Sequence, residues 1–114
     1  MIQPEMKSIL CHDLEYGKEP PDSEDCSVFI EVEIGPNGQE GADIFSFEVV
    51  TPKFLIGKTE KRWGRGLLIM DTFSWSGVEK ALEKLLMHCA RQTWEETAKE
   101  IAKEIDWEFE NYRA

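Results

Sequence analysis

In residues 27–34, Val28, Ile30, Val32 and Ile34 alternate with Ser27, Phe29, Glu31 and Glu33. Phe45, Phe47 and Val49 then resume the alternation with Ser46 and Glu48 between them. A period of two puts every apolar side chain on one face of an extended chain, so both stretches read as strands with one buried face. From Val78 the spacing changes: Val78, Ala81, Leu82, Leu85, Leu86 and Cys89 recur at every third or fourth position. Trp94, Thr97, Ala98, Ile101, Ala102 and Ile105 repeat that pattern. Each set forms one stripe of an amphipathic helix. Strands first and helices last make an α+β chain: an antiparallel sheet of about four strands with two C-terminal helices packed on one face.

The remaining elements are read from local signals. Residues 6–12 (MKSILCH) form a short apolar-leaning opening strand, and residues 66–73 (GLLIMDTF) read as the most buried strand. S-x-x-E at Ser76 and Glu79 and T-x-x-E at Thr93 and Glu96 have the form of capping boxes, in which the hydroxyl accepts from a free helix N–H. Gly17, Pro20 and Pro21 exclude helix and central strand from residues 13–25, which read as a loop. With 114 residues the chain holds one modest core, and the whole of 1–114 reads as one domain. A hydrophobic share of 41% is too high for a disordered chain, and no apolar run approaches the ~20 residues needed to span a bilayer.

Between the two strands lie Gly35, Gly38 and Gly41. A dinucleotide-binding loop needs G-x-G-x-x-G between a strand and a helix, so that phosphate meets the helix N-terminus. Here the spacing is G-x-x-G-x-x-G and a strand follows. Gly57-Lys58-Thr59 has the ending of a phosphate-cradling P-loop, but the glycine that such a loop needs five positions before Gly57 is replaced by Pro52. Pro36-Asn37-Gly38 supplies turn chemistry, and the segment reads as a hairpin connection.

No cofactor or metal is expected. Cys11-His12 and His88-Cys89 are adjacent pairs, whose side chains diverge on a strand and on a helix alike, whereas closed zinc sites use wider spacings. Cys11, Cys26 and Cys89 read as reduced cytosolic thiols, with Cys89 on an apolar stripe. Two histidines and no G-x-S-x-G elbow leave nucleophilic catalysis without a motif, so the chain reads as no enzyme. The N-terminus shows no secretory signal, which points to the cytoplasm.

Charge says more. Thirteen Lys and Arg against twenty-three Asp and Glu give a net charge of −10, a field that repels a phosphate backbone and favours a basic protein partner. Two segments concentrate the acid. Residues 13–25 hold six acids (Asp13, Glu15, Glu19, Asp22, Glu24 and Asp25) against Lys18, net −5. The C-terminal segment holds Glu95, Glu96, Glu100, Glu104, Asp106, Glu108 and Glu110 against Lys99, Lys103 and Arg113, net −4. The C-terminal set is the first candidate surface, because a helix and an aromatic tail hold charges in fixed geometry and lose less entropy on binding. Asp13, Glu15, Asp22, Glu24 and Asp25 are the second, with Trp63 and Trp75 as core lids or interface anchors.

Taken together, IGPNGQEGADIFSFEVVTPKFL, GRGLLIMDTF and TWEETAKEIAKEIDWEFENY, running from Ile34 to Tyr112, resemble the Immunity protein 8 family. I-G-P-x-G-x-x-G, F-x-F-x-V-x-T-P and the closing W-E-F-E-x-Y carry the resemblance most specifically. Members are small bacterial proteins encoded beside polymorphic toxins, including contact-dependent inhibition systems. The resemblance implies an inhibitor that binds and occludes a cognate toxin C-terminal domain, a basic nuclease by charge, in the producer's cytoplasm and without catalysis. It names no interface and no oligomeric state. The readings it competes with are a small cytosolic enzyme or ligand-binding α+β domain with a pocket near Trp63 or Trp75, and a structural adaptor subunit.

Overall fold

The computed structural model describes residues 1–57 and 64–110. Among these residues five strands and three helices follow in the order β1 (Pro4–Leu10), β2 (Ser27–Pro36), β3 (Asp43–Val50), α1 (Pro52–Ile56), β4 (Leu67–Ile69), α2 (Trp75–Leu86), α3 (Trp94–Ile101) and β5 (Asp106–Trp107). The fold is α+β, with β1, β2, β3 and β4 side by side in that order and β5 also on β3. Alternation did its work in β2 and β3. They pair antiparallel from Ser27↔Val50 to Ile34↔Asp43, and Val28, Ile30, Val32, Ile34, Phe45, Phe47 and Val49 are all buried. These side chains share one core with Val78, Leu82 and Leu86 of α2 and Ala98 and Ile101 of α3. Each large aliphatic or aromatic group buried there contributes about 1.5–3 kcal/mol.

The glycine segment turns the chain, as expected. Gln39 N–H donates to the Pro36 carbonyl at 3.2 Å, and Gly38 takes φ +77° at the position where a tight turn favours glycine. Gly35 serves differently. A Cβ there would lie 2.1 Å from the Gly41 carbonyl oxygen, so the two limbs of the hairpin meet because Gly35 has no side chain.

Four expectations need correction. The opening strand begins and ends two residues earlier than residues 6–12, and its register to β2 shifts between Met6 and Ser8. That bulge moves the inward positions from Pro4 and Met6 to Ile9 and Cys11, which blurs the alternation in sequence. β4 runs parallel to β3, through Glu48↔Leu67, Val49↔Leu68 and Val50↔Ile69, so the sheet is mixed rather than antiparallel. A parallel neighbour needs a crossover, and α1 stands between the two strands in the chain. Nor is β4 the most buried strand: it pairs along three residues at the margin, and Ile69 is 58% exposed. Just after β3, Thr51 and Pro52 open α1, with Thr51 Oγ1 accepting from Phe54 N–H and Pro52 in the first turn.

The fourth correction concerns α2. Its N-cap is Ser74, whose Oγ accepts from Gly77 N–H at 3.1 Å; Ser76 lies inside the helix. Glu79 therefore makes no capping box, and its carboxylate accepts from the Tyr16 hydroxyl instead. At α3 the cap falls where expected: Thr93 Oγ1 accepts from Glu96 N–H at 3.1 Å and donates to the Glu96 carboxylate at 3.0 Å. The helix stops at Ile101, four residues short of its apolar stripe, yet Ile105 remains buried.

Candidate functional site

The first acidic segment is held firmly against the N-terminal end of α2. Trp75 Nε1 donates to the Lys18 carbonyl at 2.7 Å, and Tyr16 packs its ring against Trp75 at a tilt of 56°, with centroids 4.9 Å apart. Phe73 N–H donates to the Ser23 carbonyl at 2.8 Å, and Cys26 N–H to Thr51 Oγ1 at 3.0 Å. Trp75 is thus a lid on the core, packed edge-on against Phe73 as well, while Trp63 lies outside the described residues. With its backbone pinned, the loop presents Asp13, Glu15, Asp22, Glu24 and Asp25 outward, all exposed. Asp22 also orders the turn locally, because its carboxylate accepts from Glu24 N–H at 3.0 Å. Burial, and then the nearby Asp22 and Asp25 charges, push the Cys26 thiol up from its ordinary pKa. Burial does the same at Cys89. Both thiols are therefore held protonated, away from the thiolate form that reacts or ligates.

The C-terminal carboxylates are distributed over two elements and are mostly engaged. On α3, Glu95 pairs with Lys99 at 3.2 Å, and Glu96 is committed to the Thr93 cap. Glu100 takes Lys103 at 2.7 Å and Arg91 at 2.8 Å. The Lys103 hydrogen bond, helped by the Arg91 charge, holds the Glu100 carboxyl below the usual range. After α3 the chain turns and runs along β3. Arg65 organises that passage, reaching the Ala102 carbonyl at 2.6 Å, the Ile105 carbonyl at 3.1 Å and Asp106 at 2.8 Å, as well as the Glu110 carboxylate. A guanidinium at the C-terminal end of α3 also complements the helix dipole. Glu108 accepts from Ile44 N–H, which fastens the tail to the sheet. Glu104 lines a cavity of about 230 Å³ together with the apolar side chains of Phe47, Leu68, Ala81 and Leu85.

Sequence reasoning missed two features. The first is Asp43, whose Oδ2 accepts from Trp94 Nε1 at 2.9 Å and from Trp107 Nε1 at 3.0 Å. One carboxylate oxygen so ties α3 and β5 to the start of β3. The second is the sheet face turned away from α2 and α3. Its cross-strand neighbours are Ser8, Glu33 and Ile44 in one row, and Leu10, Glu31, Ser46 and Asp106 in the next; Phe29 and Glu48 follow. Leu10, Phe29 and Ile44 stay 52%, 44% and 41% exposed there. The signal was Phe29 itself, an aromatic on the polar side of an otherwise regular alternation.

Among the described residues no group of three or more His, Cys, Asp or Glu side chains is placed to hold a metal ion. No helix among them is long and apolar enough to cross a membrane.

The chain matches the family model described as Immunity protein 8 over residues 4–112. No curated protein and no solved structure matches it. The matched range begins at residue 4, well before the segments from Ile34 that carry the resemblance, and so takes in β1 and the acidic loop. With every strand and helix of the fold inside that range, the chain belongs to the Immunity protein 8 family, the immunity proteins of toxin systems.

Proposed function

We propose that this protein binds a cognate toxin C-terminal domain one to one, in the cytoplasm of the bacterium that makes the toxin, and silences it by occlusion without catalysis. Family membership over residues 4–112 is the observation that carries this reading. The net charge of −10 supplies the partner's chemistry. A domain that grips a phosphate backbone must present a basic groove, and an acidic protein fits such a groove in place of the nucleic acid. A nuclease is therefore the toxin class the charge favours. Both acidic segments, residues 13–25 and 95–110, are proposed as contributors, since opposed charge draws the partners together before contact.

Co-expression with the C-terminal domain of the toxin encoded beside this gene tests the proposal. The expected result is a stable one-to-one complex on size exclusion with light scattering, and nucleic-acid cleavage by the toxin domain that falls in proportion to added protein. Full toxicity in its presence, with no complex, overturns the immunity reading for that toxin. A complex that suppresses a non-nucleolytic activity overturns the nuclease assignment alone.

A further inference from the structure

We infer that the open face of the sheet, the side turned away from α2 and α3, is the docking surface for the basic toxin domain; this rests on the immunity reading above. The argument starts from what β-strands do. Neighbouring strands lie ~4.8 Å apart and residues two apart in a strand about 7 Å apart, so the outward side chains form a fixed grid. On this grid Glu33 stands beside Ile44, and Glu31 beside Leu10. Phe29 stands next to Glu31 along β2. Carboxylates thus alternate with apolar groups that remain 41–52% exposed.

That alternation matches the build of lysine and arginine. Each has a methylene stem that packs on apolar surface and a charged head that seeks an anion a few ångströms further on. A basic surface laid across the grid covers Leu10, Phe29 and Ile44 with stems and meets Glu31 and Glu33 with heads. Nucleic acid, with its own negative charge, does not fit. The carboxylates here are less committed than those of α3: Glu33 accepts from the Ser8 hydroxyl at 2.6 Å, and Glu31 faces His12 at 3.7 Å. Glu100, by contrast, would have to exchange both Arg91 and Lys103 for a new cation. The sheet also holds its side chains on paired backbone, so little ordering entropy is lost on binding.

Three strands by about six residues span roughly 300 Å², well short of the ~800 Å² per partner of a standard interface. The footprint therefore extends to the rim. At one end the Asp13–Asp25 loop leaves β1 and enters β2 beside Leu10 and Phe29. Along β3, Asp106 and Glu108 continue the face, paired to Ser46 and bonded to Ile44. Asp106 and Glu108 extend the charged edge of the face, the loop acids add to the field from beside its end, and the apolar grid forms the centre, the arrangement that concentrates binding energy in a desolvated middle.

The test uses the full chain and the C-terminal domain of the toxin encoded beside the gene as probe, with surface kinetics as readout. Two double variants address the face, Glu31→Lys with Glu33→Lys and Phe29→Thr with Ile44→Thr; Glu95→Lys with Glu104→Lys addresses the helical layer. Each is accepted for binding once its melting midpoint lies within about 5 °C of the wild type, and single variants replace any that fail. We expect both face variants to raise Kd at least ten-fold, the charge pair chiefly through slower association and the apolar pair through faster dissociation. The helical variant should raise Kd clearly less than the face charge pair does, and only through slower association, because it weakens the long-range attraction without touching the contact surface. An effect equal to that of the face charge pair overturns the assignment to this face. Full affinity in both face variants, while the wild type binds, overturns this surface and leaves the immunity reading standing. A wild type that does not bind the probe overturns both. Self-association of the wild type at micromolar concentration, abolished by Phe29→Thr, identifies the face as an interface between copies of this chain and overturns the proposal.

Discussion

Gly35 and Gly38 sit three residues apart and are needed for different reasons. At Gly38 the backbone takes φ +77° with open space around the missing Cβ, so an alanine there suffers only conformational strain of about 1 kcal/mol. At Gly35 the constraint is contact: a Cβ would press on the Gly41 carbonyl oxygen at 2.1 Å and the Ala42 Cα at 3.0 Å, both backbone atoms that cannot rotate away. Gly35→Ala should therefore cost more, about 2–3 kcal/mol, in the upper part of the range for forcing extra atoms into packed structure. Urea denaturation followed by tryptophan fluorescence gives both values. Equal losses, or a larger one at Gly38, would show that the hairpin limbs part easily and that turn strain is the governing term. Turn chemistry at Pro36-Asn37-Gly38 was legible because it is local; the clash at Gly35 was not, because it depends on where residue 41 returns in space.

At the scale of elements, the two long helices show how a local signal can be right in kind and wrong in place. Ser74 and Ser76 both precede the apolar stripe of α2, and S-x-x-E favours Ser76 in sequence. Ser74 nevertheless has the extended backbone of a cap, with φ −152° and ψ 142°, because Trp75 must enter the helix to be buried against Phe73 and Tyr16. Tertiary packing of one indole outweighs a capping box of about 1 kcal/mol. Accordingly Ser74→Ala should destabilise by about 1 kcal/mol, and Ser76→Ala by less than about 0.5 kcal/mol as an exposed helix substitution. Thermal melts of the two variants, read at one protein concentration, decide the matter; a larger loss at Ser76 would restore the sequence-based cap. β1 and β4 tell the complementary story. A bulge at Lys7 breaks the period of β1, and the direction of β4 is invisible in a run of three residues.

For the molecule as a whole, the quantity that bears on function is charge. A net −10 spread over a chain of this size acts beyond contact distance, through a field that salt screens. Raising ionic strength from 0.01 M to 0.15 M shortens the Debye length from ~30 Å to ~8 Å. Association with the toxin domain should then slow by about ten-fold or more, while dissociation changes little, because contacts already made are screened less. Stopped-flow or surface kinetics across that salt range provide the check. An association rate that stays flat would remove electrostatic steering from the account without touching the family assignment.

The alternation of β2 and of β3, both amphipathic helices, the Thr93 cap and the turn at Gly38 were determined by the sequence alone, since each depends on residues within about four positions of one another. So was the excess of acid, which is a sum and needs no fold. Which acids remain open to a partner was decided only by tertiary structure. Arg65 meets Asp106 and Glu110 across 41 and 45 residues, and Asp43 meets Trp94 and Trp107 across 51 and 64. No periodicity encodes such distances. The same holds for the sheet face: Leu10, Phe29 and Ile44 look like isolated exceptions along the chain, and they become a surface only when three strands set them side by side.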